Sequence, residues 1–167
     1  MARLEVRLLG DPILRAKADE VTQVTDATLR LIEDMFETMY AEEGVGLAAP
    51  QIGVSERIIV VDPHDEETER FALINPVVIE YGRETERGEE GCLSIPGLKD
   101  IVERPATVIV EGLTTTGERR RIEADGLLAR ILQHEIDHIE GVLFIDRLSP
   151  LKRKLALSKW QKVKPSA

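Results

Sequence analysis

The chain is short of what would tie it together covalently or anchor it in a lipid bilayer. It has one cysteine, Cys92, in 167 residues. No internal disulfide can form, and a reducing cytoplasm is the expected compartment. No apolar run approaches the ~18 residues of a membrane span; the β-branched run Ile58-Ile59-Val60-Val61 gives way at once to Asp62-Pro63. Glu5 and Asp11 interrupt the apolar residues near the start, so no secretory hydrophobic region is expected there. Internal repeats, low-complexity segments and a linker between domains are also missing. With 43% hydrophobic and 32% charged residues, the sequence reads as one globular domain with no membrane part.

Acidic residues are absent from one stretch only. From Ser149 to Ala167 there are Lys152, Arg153, Lys154, Lys159, Lys162 and Lys164 and no acid, although the whole chain carries a net charge of −9. Residues 1–148 therefore hold 16 basic and 31 acidic residues, a balance of −15. Such a body should be repelled by nucleic acid, while the tail remains free to meet it. The expected organisation is a body over 1–148 and a basic helix or tail over 149–167 belonging to the same domain.

Thr25 or Asp26 can cap a helix whose Leu29, Ile32, Phe36 and Met39 fall at helical spacing, ending before Gly44. Gly44 to Gly53 is rich in glycine and is expected to be a shaped loop. Strands are expected over Arg57–Val61 and Phe71–Ile79, and a hairpin from Thr107–Leu113 to Arg119–Glu123 around Thr114–Gly117. Asp125 should cap a second long helix, Gly126 to about Glu140, ended by Gly141. Strands and helices are mixed without βαβ alternation, which makes the fold class α+β.

Inside that second helix lies His134-Glu135-Ile136-Asp137-His138. Residues four apart share one helix face, so both imidazoles can reach one ion. Glu135 sits about 100° round from His134, placed to hold a water on the ion without ligating it. Leu127, Ile131, His134 and His138 follow one stripe, spaced 4, 3 and 4 apart, which should face the core. His64 lies in an acidic turn and has no assigned role. A catalytic centre normally takes three protein ligands and a water. The downstream residues supply no obvious third ligand: where some metalloproteases place a further histidine, this chain has Phe144, and Glu140 and Asp146 lie very close in sequence to His138. Upstream, Cys92 sits between Gly91 and the Pro96-Gly97 turn and is a candidate.

Gly44-Val45-Gly46-Leu47-Ala48-Ala49-Pro50-Gln51, Glu90-Gly91-Cys92-Leu93-Ser94 and His134-Glu135-Ile136-Asp137-His138 resemble, in the same order, the three signature motifs of the peptide deformylase family. The likeness runs from about Asp11-Pro12 to Leu148-Ser149-Pro150; Ile95 and Ile139 depart slightly from the valine and leucine often found in relatives.

The resemblance implies removal of the formyl group, as formate, from the N-terminal formyl-methionine of newly made polypeptides. It implies a metal on Cys92, His134 and His138, a water as fourth ligand and nucleophile, and Glu135 as general base and acid. Gln51 and the backbone N–H of Leu93 would stabilise the oxyanion. The fold expected is then antiparallel strands packed around a central metal-binding helix, with a C-terminal helix. Ligand softness alone points to zinc; the resemblance points to Fe(II), with zinc, nickel or cobalt able to take the same place.

Val45, Gly46 and Gly91 are expected beside the substrate, with Gly46 allowing close backbone approach to it. Leu127 and Ile131 are expected to line a pocket for the methionine side chain or, equally, to pack in the core. Glu90 and Arg104 are expected either to hold the Cys92 loop or to form an ordinary surface pair. Two rival readings remain: a small zinc peptidase, and a structural metal module, which would need a fourth protein ligand. The basic tail is expected to dock on the ribosome near the exit tunnel, or else to be a helix packed on the body by Leu151, Leu155 and Trp160.

Overall fold

Ile58–Val61 contains no polar residue because it has no exposed side. The computed structural model describes residues 2–165; Met1, Ser166 and Ala167, at the ends of the expected body and tail, lie outside the described residues. In chain order the elements are α1 (Asp26–Ala41), β1 (Gly46–Ala48), β2 (Ile58–Val61), β3 (Phe71–Tyr81), β4 (Thr85–Gly91), β5 (Lys99–Pro105), β6 (Thr107–Leu113), β7 (Arg119–Asp125), α2 (Gly126–Ile139) and α3 (Pro150–Val163). Single 3-10 turns lie at Pro12–Arg15, Ala49–Ile52 and Phe144–Arg147. Five strands form an antiparallel sheet in the order β1-β2-β3-β6-β7, and β4 and β5 pair only with each other.

Side chains alternate across a strand, so β2 and β3 feed two cores. Ile59, Val61 and Leu73 pack against Ile131, Leu132 and Ile136 of α2. Ile58, Val60, Ala72 and Ile74 pack against Ile32, Met35, Phe36 and Met39 of α1. Each large apolar side chain buried this way stabilises the fold by about 1.5–3 kcal/mol. A third cluster joins Ile95, Leu98 and Val102 of the hairpin region to Leu143, Phe144, Ile145 and Trp160, and so seats α3. The class is α+β, with α2 against five strands of the main sheet.

Several expectations are corrected. Gly44–Gly53, expected as a shaped loop, is partly regular: Gly46–Ala48 pairs with β2 through Gly46↔Val61 and Ala48↔Ile59, followed by the 3-10 turn. The β4–β5 hairpin carries no local signal of its own, because Thr85–Gly91 is charged, glycine-bearing and mostly exposed. Thr25 rather than Asp26 caps α1, accepting from the Thr28 N–H. Asp125 occupies the cap position of α2, yet its side chain makes no capping bond. Leu29 and Leu127 are 37% and 54% exposed, so each apolar stripe is shorter than its spacing suggests. Of the three residues expected to pack α3, only Trp160 is buried; Leu151 and Leu155 face outward, and Ala156 and Leu157 take their place.

Asp146 fixes the last 3-10 turn. Its carboxylate accepts from the Leu143 N–H at 3.0 Å and from Arg15 and Arg153. Burial alone would raise its pKa, but these donors outweigh burial and hold it below the usual carboxylate range. A depressed folded-state pKa means stability present above the unfolded value and lost as pH falls through the folded one. Asp146→Asn should therefore cost about 1.5–3 kcal/mol near neutral pH, the worth of hydrogen bonds to a charged group. The gap from the parent should narrow in urea melts repeated at pH values below about 4, the ordinary aspartate pKa.

Candidate metal centre

The second half of α2 is buried along its length, which is unusual for a segment carrying His134, Glu135, Asp137 and His138. The two imidazoles stand one turn apart, ring centroids 5.0 Å from each other. Cys92 follows directly on β4, and its Sγ lies 3.3 Å from His138 Nε2. One donor atom from each of Cys92, His134 and His138 falls within 4.8 Å of the others. Among the described residues no other group of three or more histidine, cysteine, aspartate or glutamate donors is so arranged.

Whether an ion suits this cluster can be judged from its protons. His134 is pushed well above the ordinary imidazole pKa: burial opposes the shift, and Cys92, Glu135 and Glu90 overcome it. His138 is pushed well below by burial and by the charge on His134. The cluster thus favours one positive charge at its centre, the place a divalent cation takes. Glu135 Oε1 is buried without a hydrogen-bond partner, and so is His138 Nδ1, the ring nitrogen that does not face Cys92. One soft sulfur and two imidazoles fit a single transition ion, short of the four ligands of a closed structural site.

Glu90 fixes His134. It accepts from His134 Nδ1 at 2.9 Å, which leaves Nε2 with its lone pair free for a metal. The same carboxylate accepts from Arg104 Nε at 2.6 Å and Nη2 at 2.9 Å. Despite burial, which raises it, hydrogen bonds from His134 and Arg104 lower the Glu90 pKa to about 2. Arg104 then reaches Asp137 at 2.9 Å, and Asp137 is also gripped by Arg147 at 2.8 and 3.1 Å. Glu90 and Arg104 are 6% and 3% exposed, so this is a buried network and not a surface pair. Asp137, Arg147 and Arg130 do not stand out in the sequence. Asp137 was within reach, since position i+3 lies on the same side of a helix as His134.

Glu135 is buried, and desolvation pushes its pKa up to about 7. It stands against Gly46: a Cβ on that residue would lie 2.7 Å from Glu135 Oε2 and 3.0 Å from Ile131 Cγ2. The close approach expected between Gly46 and a substrate is thus already used by the carboxylate. Gln51 is 1% exposed, its amide oriented by the Ala48 N–H donating to Oε1 at 3.0 Å. Gln51 Nε2 is turned toward Ser94 Oγ at 3.1 Å and Cys92 Sγ at 3.6 Å. The Leu93 N–H donates to no group among the described residues.

All of this opens on a groove of about 370 Å³ lined by Val45, Gly46, Gly91, Leu93, Leu127 and Ile131 among others. Ile131 is 4% exposed and Leu127 stands at the mouth. His64 lies outside the groove, its Nε2 3.2 Å from the Gly44 carbonyl oxygen. A larger cleft of about 640 Å³ beside α3 holds none of these donors.

Known proteins share this arrangement of chain and fold. A family model described as polypeptide deformylase matches residues 3–154. The peptide deformylase of Halothermothrix orenii is 54% identical over 149 residues, 89% of this chain and 95% of that one. That of Natranaerobius thermophilus is 49% identical over 92% of this chain and 97% of its own length. The crystal structure of a peptide deformylase from Legionella pneumophila superposes with a TM-score of 0.90 at 46% identity, covering 98% of this chain and 96% of that one. A structure of the Ehrlichia chaffeensis peptide deformylase in complex with actinonin gives 0.91 at 39% identity, with 99% and 100% covered.

Arg104 joins Glu90 to Asp137, so its loss takes two hydrogen bonds from one buried carboxylate and one from the other. Arg104→Met should destabilise the protein by about 3–5 kcal/mol, the usual cost of breaking a buried pair from one side. A shift of only a few tenths in the urea-derived unfolding free energy would show that the network carries no stability.

Proposed function

The chain belongs to the polypeptide deformylase family and is a metal-dependent hydrolase that removes N-terminal formyl groups; we propose that it does so with Cys92, His134 and His138 as metal ligands and Glu135 as the proton carrier. The observation that carries this assignment is a half-buried three-donor cluster with an unpaired carboxylate oxygen beside it, opening on one groove. When bound, the ion supplies a Lewis acid that polarises the formyl oxygen and lowers the pKa of a water toward neutrality.

Glu135 takes the proton of the attacking water and hands it to the departing amine. A carboxylate raised toward neutrality suits both directions of that transfer, and a bound cation pulls its pKa down from the desolvated value. The formyl oxygen gains charge as the water adds. The Leu93 N–H and the Gln51 amide are the donors within the groove that can meet it. Val45, Gly46, Gly91, Leu127 and Ile131 form the walls for the methionyl end, with Leu127 and Ile131 supplying apolar surface to its side chain. Glu90 and Arg104 hold His134 in the tautomer that ligates.

For the ion itself we take Fe(II), on the family resemblance; the donor set alone also suits zinc, cobalt or nickel. The substrates are then formyl-methionyl nascent peptides in the cytoplasm, and no helix among the described residues is long and apolar enough to cross a membrane. Docking on the ribosome through α3 is supported by its lysines: Lys152, Lys154, Lys159 and Lys162 all point outward, beside exposed Leu151, Leu155 and Val163.

Formate release from a formyl-methionyl tripeptide, with internal peptide bonds left whole, tests the activity; cleavage of internal bonds would instead mark a peptidase. Glu135→Ala should keep stoichiometric metal and lose about 10²–10⁴-fold in turnover. Cys92→Ser should instead lose metal, because a hydroxyl is a harder and weaker ligand than a thiolate. Full activity in either variant overturns its assigned role.

For the tail, truncation after Pro150 would uncover the core around buried Trp160. Replacing Lys154, Lys159 and Lys162 with Gln is cleaner. Ribosome co-sedimentation should fall and become less salt-dependent, by about one unit of log–log slope for each phosphate that is no longer neutralised. Turnover of the short peptide should stay unchanged. Equal ribosome binding by variant and parent at low salt rejects docking.

A further inference from the structure

The thiolate ligand sits at the end of a hairpin that has no ladder to the main sheet. β4 and β5 pair only with each other, and Cys92 follows directly on Gly91, the last residue of β4. The histidines stand on α2, seated in a different core. The distance between thiolate and imidazoles therefore depends on the third core, in which Cys92 packs, and on side chains that cross from helix to hairpin. Arg104 and Gln133 are two such crossings, Gln133 donating to the Pro105 carbonyl at 2.9 Å.

Arg130 is another, and it has a geometry that the others lack. It lies one turn before His134, on the same side of α2. Its Nη1 donates to Glu90 Oε2 at 2.6 Å and to the Val102 carbonyl at 2.9 Å. Its Nη2 donates to the Glu86 carbonyl at 2.9 Å. One planar guanidinium thus ties α2 to both strands of the hairpin and to the carboxylate that orients His134. An ammonium could not span those three acceptors.

The hairpin is built to receive it. Gly88 pairs with Val102, and a Cβ on Gly88 would lie 2.9 Å from both Arg130 Cζ and Nε. Glycine at that position leaves room for the guanidinium to lie flat across the strand. No φ in the left-handed region is involved there, so the glycine answers a packing demand and not a turn.

We propose that Arg130 is a positioning residue for the metal centre: a clip, seated on Gly88, that holds the Cys92 hairpin at ligating distance from the histidine helix. This rests on Cys92, His134 and His138 being the ligands. Arg130 is not among the three donors, although its side chain also lines the groove. It slows metal loss by keeping the open donor set assembled. Arg104 keeps Glu90 ionised and hydrogen-bonded without it, so the clip can be released while the buried network stays.

The test uses Co(II)-loaded full-length protein, with metal release followed as decay of the thiolate-to-cobalt absorption under excess chelator. Outer partners of metal ligands typically change metal affinity by about 10–100-fold. Arg130→Ala should release cobalt about tenfold faster, at the low end of that range because it acts through the hairpin. Arg130→Lys should recover only part of the difference. Gly88→Ala should mimic Arg130→Ala by displacing the guanidinium, and the double variant should be no worse than either single one. Release at the parent rate in Arg130→Ala and Gly88→Ala, with only the apo-protein melting temperature lowered, would make Arg130 an ordinary stabilising residue and overturn the proposal. Failure of the parent to hold cobalt or to show the thiolate band would instead refute the ligand assignment beneath it.

Discussion

One buried carboxylate, Glu90, is the point on which the centre depends. It takes hydrogen bonds from Arg104, Arg130 and His134 at once and is 6% exposed. A charge placed there without partners would cost several kcal/mol. With its partners, it converts the burial of an anion into a fixed orientation for an imidazole. Arg104 extends the arrangement to Asp137 and Arg147, so a line of alternating charge runs from the hairpin under α2 to the Phe144–Arg147 turn. This line satisfies two of the helix's four buried polar residues, His134 and Asp137, and leaves Glu135 Oε1 and His138 Nδ1 without a hydrogen-bond partner.

Much of this is legible in the residues, and the reasons differ by element. Ile58–Val61 can be read as a strand because both faces are dry, which demands an unbroken β-branched run. α2 can be read from its spacing and from Gly141, whose φ of +80° suits glycine at a helix end. The three donors come within reach through the spacing of the histidines and the scarcity of cysteine. The family resemblance then supplies the ligand set.

What stays hidden is long-range. The β4 strand has neither apolar alternation nor apolar bulk, and its hairpin is held by Val102 in the third core together with ion pairs to a helix 40 residues away in sequence, as in Arg130–Glu90. No local pattern encodes such a partner. Leu127 reads as a core candidate for a related reason: helical spacing tells which residues share a face, but not where along the helix the neighbouring sheet ends. The role of Gly46 is partly readable. Its lack of Cβ signals close approach, whereas the identity of the approaching group, Glu135, needs the fold.

The two-sided sheet also divides the protein's tolerance to change. Odd and even positions of β2 belong to different cores: Ile59 and Val61 support the helix that carries the histidines, while Ile58 and Val60 support α1. Packed interiors transmit volume changes to the side chains they touch. Neighbouring residues of one strand therefore live under separate constraints. Sequence drift among Ile58, Val60, Ala72 and Ile74 acts first on the α1 layer and reaches the groove only by way of Leu47, Ala49 and Leu93, which pack in that layer. Drift at Ile59, Val61 and Leu73 is felt under His134, one packed side chain away through α2.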